Sequence, residues 1–140
     1  MKKILIIKHG SLGDIVFALP ALASIREAYS DAEIYVLTEN KYINFFNRWN
    51  IFDFCFEDNR KESFFKSLYT LFKLLNIQFD LIIDLQNSQR TSLYNLFFRL
   101  FHSAKICSSR PFAHYRYHIP PQGTESASSG LLSQLSLIGI

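Results

Sequence analysis

Two runs of this chain, Ile4-Leu5-Ile6-Ile7 and Leu81-Ile82-Ile83, are apolar without alternation. A strand with one wet face alternates, so these read as strands buried on both sides, the mark of a parallel sheet covered by helices. The first strand is expected at 3–8 and the one around Leu81 at 80–85. Further strand-like runs fall at 33–38, 51–56 and 104–108, with helical runs between them. Such alternation with short links dictates right-handed βαβ units and a doubly wound α/β sheet. A length of 140 residues suits one domain of that kind.

The stretch His9-Gly10-Ser11-Leu12-Gly13-Asp14 joins the first strand to a helix with apolar period (Ile15, Ala18, Leu19, Leu22, Ile25). It lies at the carboxyl end of a central strand, where open α/β sheets bind ligands. Ser11 and Asp14 have the spacing of a capping box, and the helix dipole favours an acid in the first turn. The glycines are expected to turn the backbone with positive φ. The turn is neither GxGxxG nor a Walker loop, and Asp14 would repel a phosphate on the same amides, which disfavours a simple dinucleotide site. Asp14 thus stands as a helix cap or as a fixed carboxylate able to take a proton. His9, one step back, is an alternative base. Pro20 removes the bond to the Val16 carbonyl and is expected to kink or restart the helix.

Two further helices show apolar stripes. Between 62 and 75, Phe64, Leu68, Leu71 and Leu75 recur, widened by Phe65 and Phe72, with Lys66 and Lys73 opposite; between 91 and 101, Leu93, Leu96, Phe97, Leu100 and Phe101 do the same, with Arg99 outside. Both stripes are expected to pack on the sheet, with a membrane-interface role as the alternative. Residues 109–130 (Pro111, Pro120, Pro121, Gly123, Ser126, Ser128, Ser129) read as a loop, made basic by Arg110, His114, Arg116 and His118. A last helix is expected at 131–138.

Composition narrows the rest. Nearly half the residues are hydrophobic and 14 are Phe, which excludes disorder over most of the length. A net charge of +3 fits an anionic partner, but no dense basic stripe marks a nucleic-acid binder. Cys55 and Cys107 sit in apolar runs without CxxC spacing, so they read as buried thiols of a reducing cytoplasm, with no metal site. No run reaches the ~18 apolar residues of a membrane span. A receiver-like signalling domain is set aside: it would need paired acids after the first strand, which here ends Lys8-His9.

Lys3-Ile4-Leu5-Ile6-Ile7-Lys8, Ser11-Leu12-Gly13-Asp14, Leu19-Pro20-Ala21-Leu22, Arg26-Glu27-Ala28-Tyr29-Ser30-Asp31-Ala32-Glu33-Ile34 and Phe79-Asp80-Leu81-Ile82-Ile83-Asp84-Leu85-Gln86, leading to Arg90-Thr91-Ser92, together resemble the opening of the bacterial lipopolysaccharide heptosyltransferases, glycosyltransferases of family 9. The likeness runs to about residue 108 and weakens in the following loop.

The resemblance implies a Rossmann-like domain, the N-terminal, acceptor-side half of a GT-B glycosyltransferase. The nucleotide-sugar domain would follow it, and the apolar end Leu137-Ile138-Gly139-Ile140 is read as leading into that missing partner. It implies inverting transfer of heptose from ADP-heptose, with Asp14 as general base, no resident cofactor or metal, and no transfer by residues 1–140 alone. Substrate contacts are expected from Ser11, Leu12, Gly13 and Gln86, and from Arg60, Lys61 and Arg90 as cations for acid groups of the acceptor, with a solvated surface as the alternative for these three. The expected acceptor is the anionic, lipid-linked inner core of lipopolysaccharide, met in the cytoplasm or at the inner membrane surface. Asp84 would line the cleft or cap its turn. The alternative is a non-catalytic Rossmann-like module that binds a ligand at the Gly10–Asp14 turn.

Overall fold

The computed structural model describes residues 2–121 and 126–140; Gly123, read above as part of a loop, lies outside them. The order is β1 (Lys3–Ile7), α1 (Leu12–Ala28), β2 (Glu33–Thr38), α2 (Asn40–Asn47), β3 (Phe54–Glu57), α3 (Phe64–Leu74), β4 (Leu81–Asp84), α4 (Gln89–Phe101), β5 (Lys105–Ser108), β6 (Tyr115–Arg116) and α5 (Ala127–Ser136). The strands form a single sheet in the order β3-β2-β1-β4-β5-β6, and every pair is parallel. This is the Rossmann-like doubly wound α/β fold that the alternation dictates.

Central β1 explains its own composition. Ile4 and Ile6 enter a core with α1, α2 and α5, while Leu5 and Ile7 enter a second core with α3 and α4. All four are fully buried, so none of these four positions tolerates a polar side chain. β1 and β4 lie side by side with Ile7 opposite Asp84. The chain winds outward from this pair in both directions, so their carboxyl ends form the topological switch point.

Several expectations need correction. Helix α1 does not restart at Pro20 but continues through it to Ala28. Pro20 and Val16 are both exposed, so the carbonyl left without a helical donor lies on the wet side. The 109–130 loop contains a short sixth strand, and α5 starts inside its serine run because Ser126 caps it, accepting from the Ser129 amide at 3.1 Å.

Neither helical stripe is wholly packed. On α3, Leu71 and Leu74 are buried while Phe65 and Phe72 face solvent. On α4, Tyr94, Phe97 and Phe98 are buried while Leu93, Leu100 and Phe101 are exposed. The α4 rotation has a polar cause: Thr91 and Asn95 turn inward, where Asn95 Nδ2 reaches Asp84 Oδ2 at 3.5 Å and Thr91 caps the turn at Ser88. Both cysteines are free thiols; burial pushes Cys107 up to about 11.

Candidate functional site

The loops after β1 and β4 build the site at the switch point. After β1 come Lys8, His9, Gly10 and the α1 cap Ser11; after β4 come Leu85, Gln86 and Asn87. A hollow of about 330 Å³ opens between them, walled by Lys8, Asp14, Phe17, Gln86, Asn87 and, from the far side, Tyr117, Ile119, Pro120, Pro121 and α5 with Gln134.

Asp14 does two things at once. Its Oδ2 accepts from the Ser11 amide at 3.3 Å and the Ser11 hydroxyl at 3.1 Å, which locks the carboxylate at the helix start. The side chain remains exposed and lines the hollow. Among the described residues Oδ1 has no partner, so one oxygen is fixed and the other is available. Ser11 and Leu12 are exposed beside it, and Gly13 has open space where a Cβ would stand.

Neither Gly10 nor Gly13 adopts positive φ, contrary to the expected turn. Gly10 is required for a different reason: a Cβ there would overlap the Tyr42 ring. The left-handed residue is Asn87, at φ 53°. Its Oδ1 accepts from the Ser109 amide at 2.9 Å, and its Nδ2 donates to Gln134 Oε1 at 2.8 Å. Asp84 lies beneath this turn. It is fully buried and accepts from the amides of Gln86 (3.0 Å) and Asn87 (2.9 Å) and from the Ser108 hydroxyl (2.7 Å). Burial raises its carboxyl above the usual range despite those donors. Asp84 is thus a turn cap rather than a cleft residue.

Among the described residues that line the hollow, Lys8 is the cation. It is buried, donates from Nζ to Gln86 Oε1 at 3.2 Å, and among the described residues has no carboxylate within ion-pair distance. Burial pushes the ammonium below the ordinary lysine range, partly opposed by the charges of Asp14 and Asp84. Gln86 Oε1 also accepts from the His9 amide at 3.1 Å, so Gln86 ties the two loops together.

The other sequence-derived candidates are placed elsewhere. His9 is fully buried with Nε2 2.8 Å from Asp58 Oδ2, so it does not face the hollow as a base. Asp58 also accepts from the Tyr94 hydroxyl at 2.6 Å and from Ser67 at 2.5 Å. Arg90 completes this network, donating to Tyr94 at 2.7 Å and Ser67 at 2.5 Å. Arg60 donates to Glu39 (2.9 Å) and to the Gly10 carbonyl, bracing the turn from behind. Lys61 is exposed and outside the hollow. In the basic segment, Arg110 donates to Ser92 at 2.7 Å and Arg116 to the Ser109 carbonyl at 3.2 Å.

Of the predicted residues, then, the structure brings Asp14 and Gln86 together in the hollow, with Ser11, Leu12 and Gly13 beside it. Lys8, Asn87 and Gln134 were not singled out. Lys8 carried a usable signal, a lysine directly ending a strand buried on both faces. Gln134 carried none, being one polar residue on an amphipathic helix.

No protein-family model matches the chain, and no curated protein does. Solved structures do. A glycosyl transferase of family 9 from Veillonella parvula DSM 2008 superposes with a TM-score of 0.77 at 21% identity, over 99% of this chain and 42% of that one. The E. coli heptosyltransferase WaaC, solved with ADP, gives 0.71 at 18% identity over 98% of this chain and 47% of the other. E. coli ADP-heptose lps heptosyltransferase II gives 0.72 at 14% identity, covering 96% and 40%. The chain has the fold of these glycosyltransferases. It spans a little under half the length of each. At such identities the likeness is one of architecture, and it reaches the same group of proteins as the motifs around Asp14 and Gln86. Among the described residues no helix is long and apolar enough to cross a membrane.

Proposed function

We propose that this chain is the acceptor-side half of a heptosyltransferase-like glycosyltransferase, moving heptose from ADP-heptose to an anionic, lipid-linked saccharide with inversion. The observation that carries the reading is Asp14: a carboxylate held by Ser11 at a helix start, with its second oxygen open to a hollow at the switch point. Substrate enters opposite a donor bound by a second domain. The acceptor hydroxyl oxygen bonds to the anomeric carbon, the bond from that carbon to the diphosphate breaks, and its electron pair leaves with ADP. The hydroxyl proton passes to Asp14 Oδ1. A carboxylate is a weak base, which suffices when the proton leaves late, with the new C–O bond already forming.

Lys8 gives the hollow its sign. Its ammonium has donors to spare and holds an acid group of the acceptor beside the reacting hydroxyl. Gln86 and the Ser11–Gly13 turn supply polar edge contacts, while Arg60 and Arg90 brace the loops from behind.

The test is transfer by this chain joined to a donor-binding half. Asp14→Asn is expected to lower turnover at least ~100-fold with acceptor binding retained. Full activity in that variant removes Asp14 as the base. Tight, stoichiometric ADP binding by the 140 residues alone would favour the non-catalytic binding module instead.

A further inference from the structure

The exposed side of α3 and α4 is unlike the rest of the surface. Phe65, Tyr69 and Phe72 follow one another at i, i+4 and i+7, and Phe65 is 82% exposed. On α4, Leu93, Leu100 and Phe101 share a flank, with Leu100 65% exposed. The two rows join through aromatic contacts, Phe72 to Phe97 at 5.2 Å and Phe97 to Phe101 at 5.3 Å between ring centres. The result is one apolar ridge spanning two helices, where soluble surfaces keep such residues scattered.

Its charges are one-sided. The two helices carry Lys66, Lys73, Arg90 and Arg99 and not one Asp or Glu. Arg90 is engaged inside, while Lys66, Lys73 and Arg99 border the ridge. Lys73 stands over the Tyr69 ring at 4.4 Å, so cation and aromatic share one level. The acids beside it lie outside the two helices: Glu62 precedes α3 and lies 3.8 Å from Lys66, and Glu57 at the end of β3 lines the same groove as Phe65, Tyr69 and Lys73. A second copy of this chain is a poor occupant: two-fold pairing would oppose like charges, and protein interfaces are depleted in Lys.

We infer that the α3–α4 ridge is a membrane-surface docking site, with Phe65, Tyr69, Phe72, Leu100 and Phe101 entering the interfacial layer of an anionic bilayer and Lys66, Lys73 and Arg99 meeting its headgroups. The helices follow β3 and β4, so both start at the sheet edge that bears the hollow, and docking there leaves the hollow at the rim of the lipid surface. The inference stands apart from the proposed transfer reaction.

The experiment is co-sedimentation of the whole chain with vesicles of phosphatidylcholine alone or mixed with phosphatidylglycerol. The chain is expected to bind the mixed vesicles and to be released by salt. Lys66→Gln and Lys73→Gln are each expected to lower the partition coefficient roughly fivefold. Phe65→Gln with Tyr69→Gln is expected to lower it roughly tenfold or more. These side chains lie outside the core, and circular dichroism confirms folding of each variant. Absence of binding, or equal binding to both vesicle types, overturns the inference. So does a dimer that Phe65→Gln dissolves, which would assign the ridge to a second copy.

Discussion

Gln134 of α5 and Asn87 of the β4–α4 turn are joined by a 2.8 Å hydrogen bond, and this pair closes the hollow. The same Gln134 donates Nε2 to the Asp84 carbonyl at 2.8 Å. One buried amide thus seats the last helix on the switch point and holds a left-handed residue in place. Gln134→Ala removes both bonds and leaves a buried carbonyl and an amide without partners. A loss of ~1–3 kcal/mol in urea unfolding is expected. An unchanged midpoint would mean that α5 is held by its apolar packing alone, through Leu131, Leu135 and the following Ile138.

Gly10 and Gly13 separate by the same measurement. Gly10→Ala forces its methyl into the Tyr42 ring, which is itself buried, and is expected to cost ~1–3 kcal/mol. Gly13→Ala meets open space in the first turn of α1, where alanine is favoured by up to ~1 kcal/mol. The two substitutions should move the unfolding midpoint in opposite directions.

Asp58 makes stability depend on acid. Burial alone would raise its carboxyl, but hydrogen bonds from His9, Ser67 and Tyr94 outweigh that and hold it below the usual range. The folded state therefore binds this proton more weakly than the unfolded chain. The stabilisation is present above the ordinary carboxylate range, about pH 4, and is lost as pH falls through the depressed folded value. Midpoints measured from pH 6 downward should decline, and Asp58→Asn should be less stable at pH 6 with a shallower decline.

How much of this was legible beforehand follows from where the information sits. The sheet was legible because Ile4–Ile7 and Leu81–Ile83 are apolar on both faces, a local property of each strand. The placement of Asp14 and Gln86 at the switch point was legible because the turns that follow those strands carry them. Arg60 and Arg90 were read as substrate contacts because a cation in a loop offers a charge; only the fold places Glu39 beside one and Ser67 and Tyr94 beside the other, from distant stretches of chain. The orientation of α4 failed for a related reason. Its period counted Leu93, Leu100 and Phe101 as core, whereas the buried Asp84 turn demanded that Thr91 and Asn95 face inward.

Lys8 offers a test in which stability and binding part company. A buried ammonium with one hydrogen bond is a destabilising element, since its folded form holds the proton less tightly than the unfolded chain does. That cost is present at neutral pH and fades only as pH rises through the alkaline range toward the ordinary lysine value. Lys8→Met keeps the length, removes the charge and leaves Gln86 Oε1 bonded to the His9 amide. The variant is expected to unfold at equal or higher urea, by ~1 kcal/mol or more. Binding of a sugar acid, measured by calorimetry, should weaken roughly tenfold or more, the value of a charged hydrogen bond. A gain in stability together with a loss of affinity is the signature of a residue placed for its ligand. Loss of both would make Lys8 a structural tie between the two loops, and the hollow would then lack the cation on which its choice of an acidic acceptor rests.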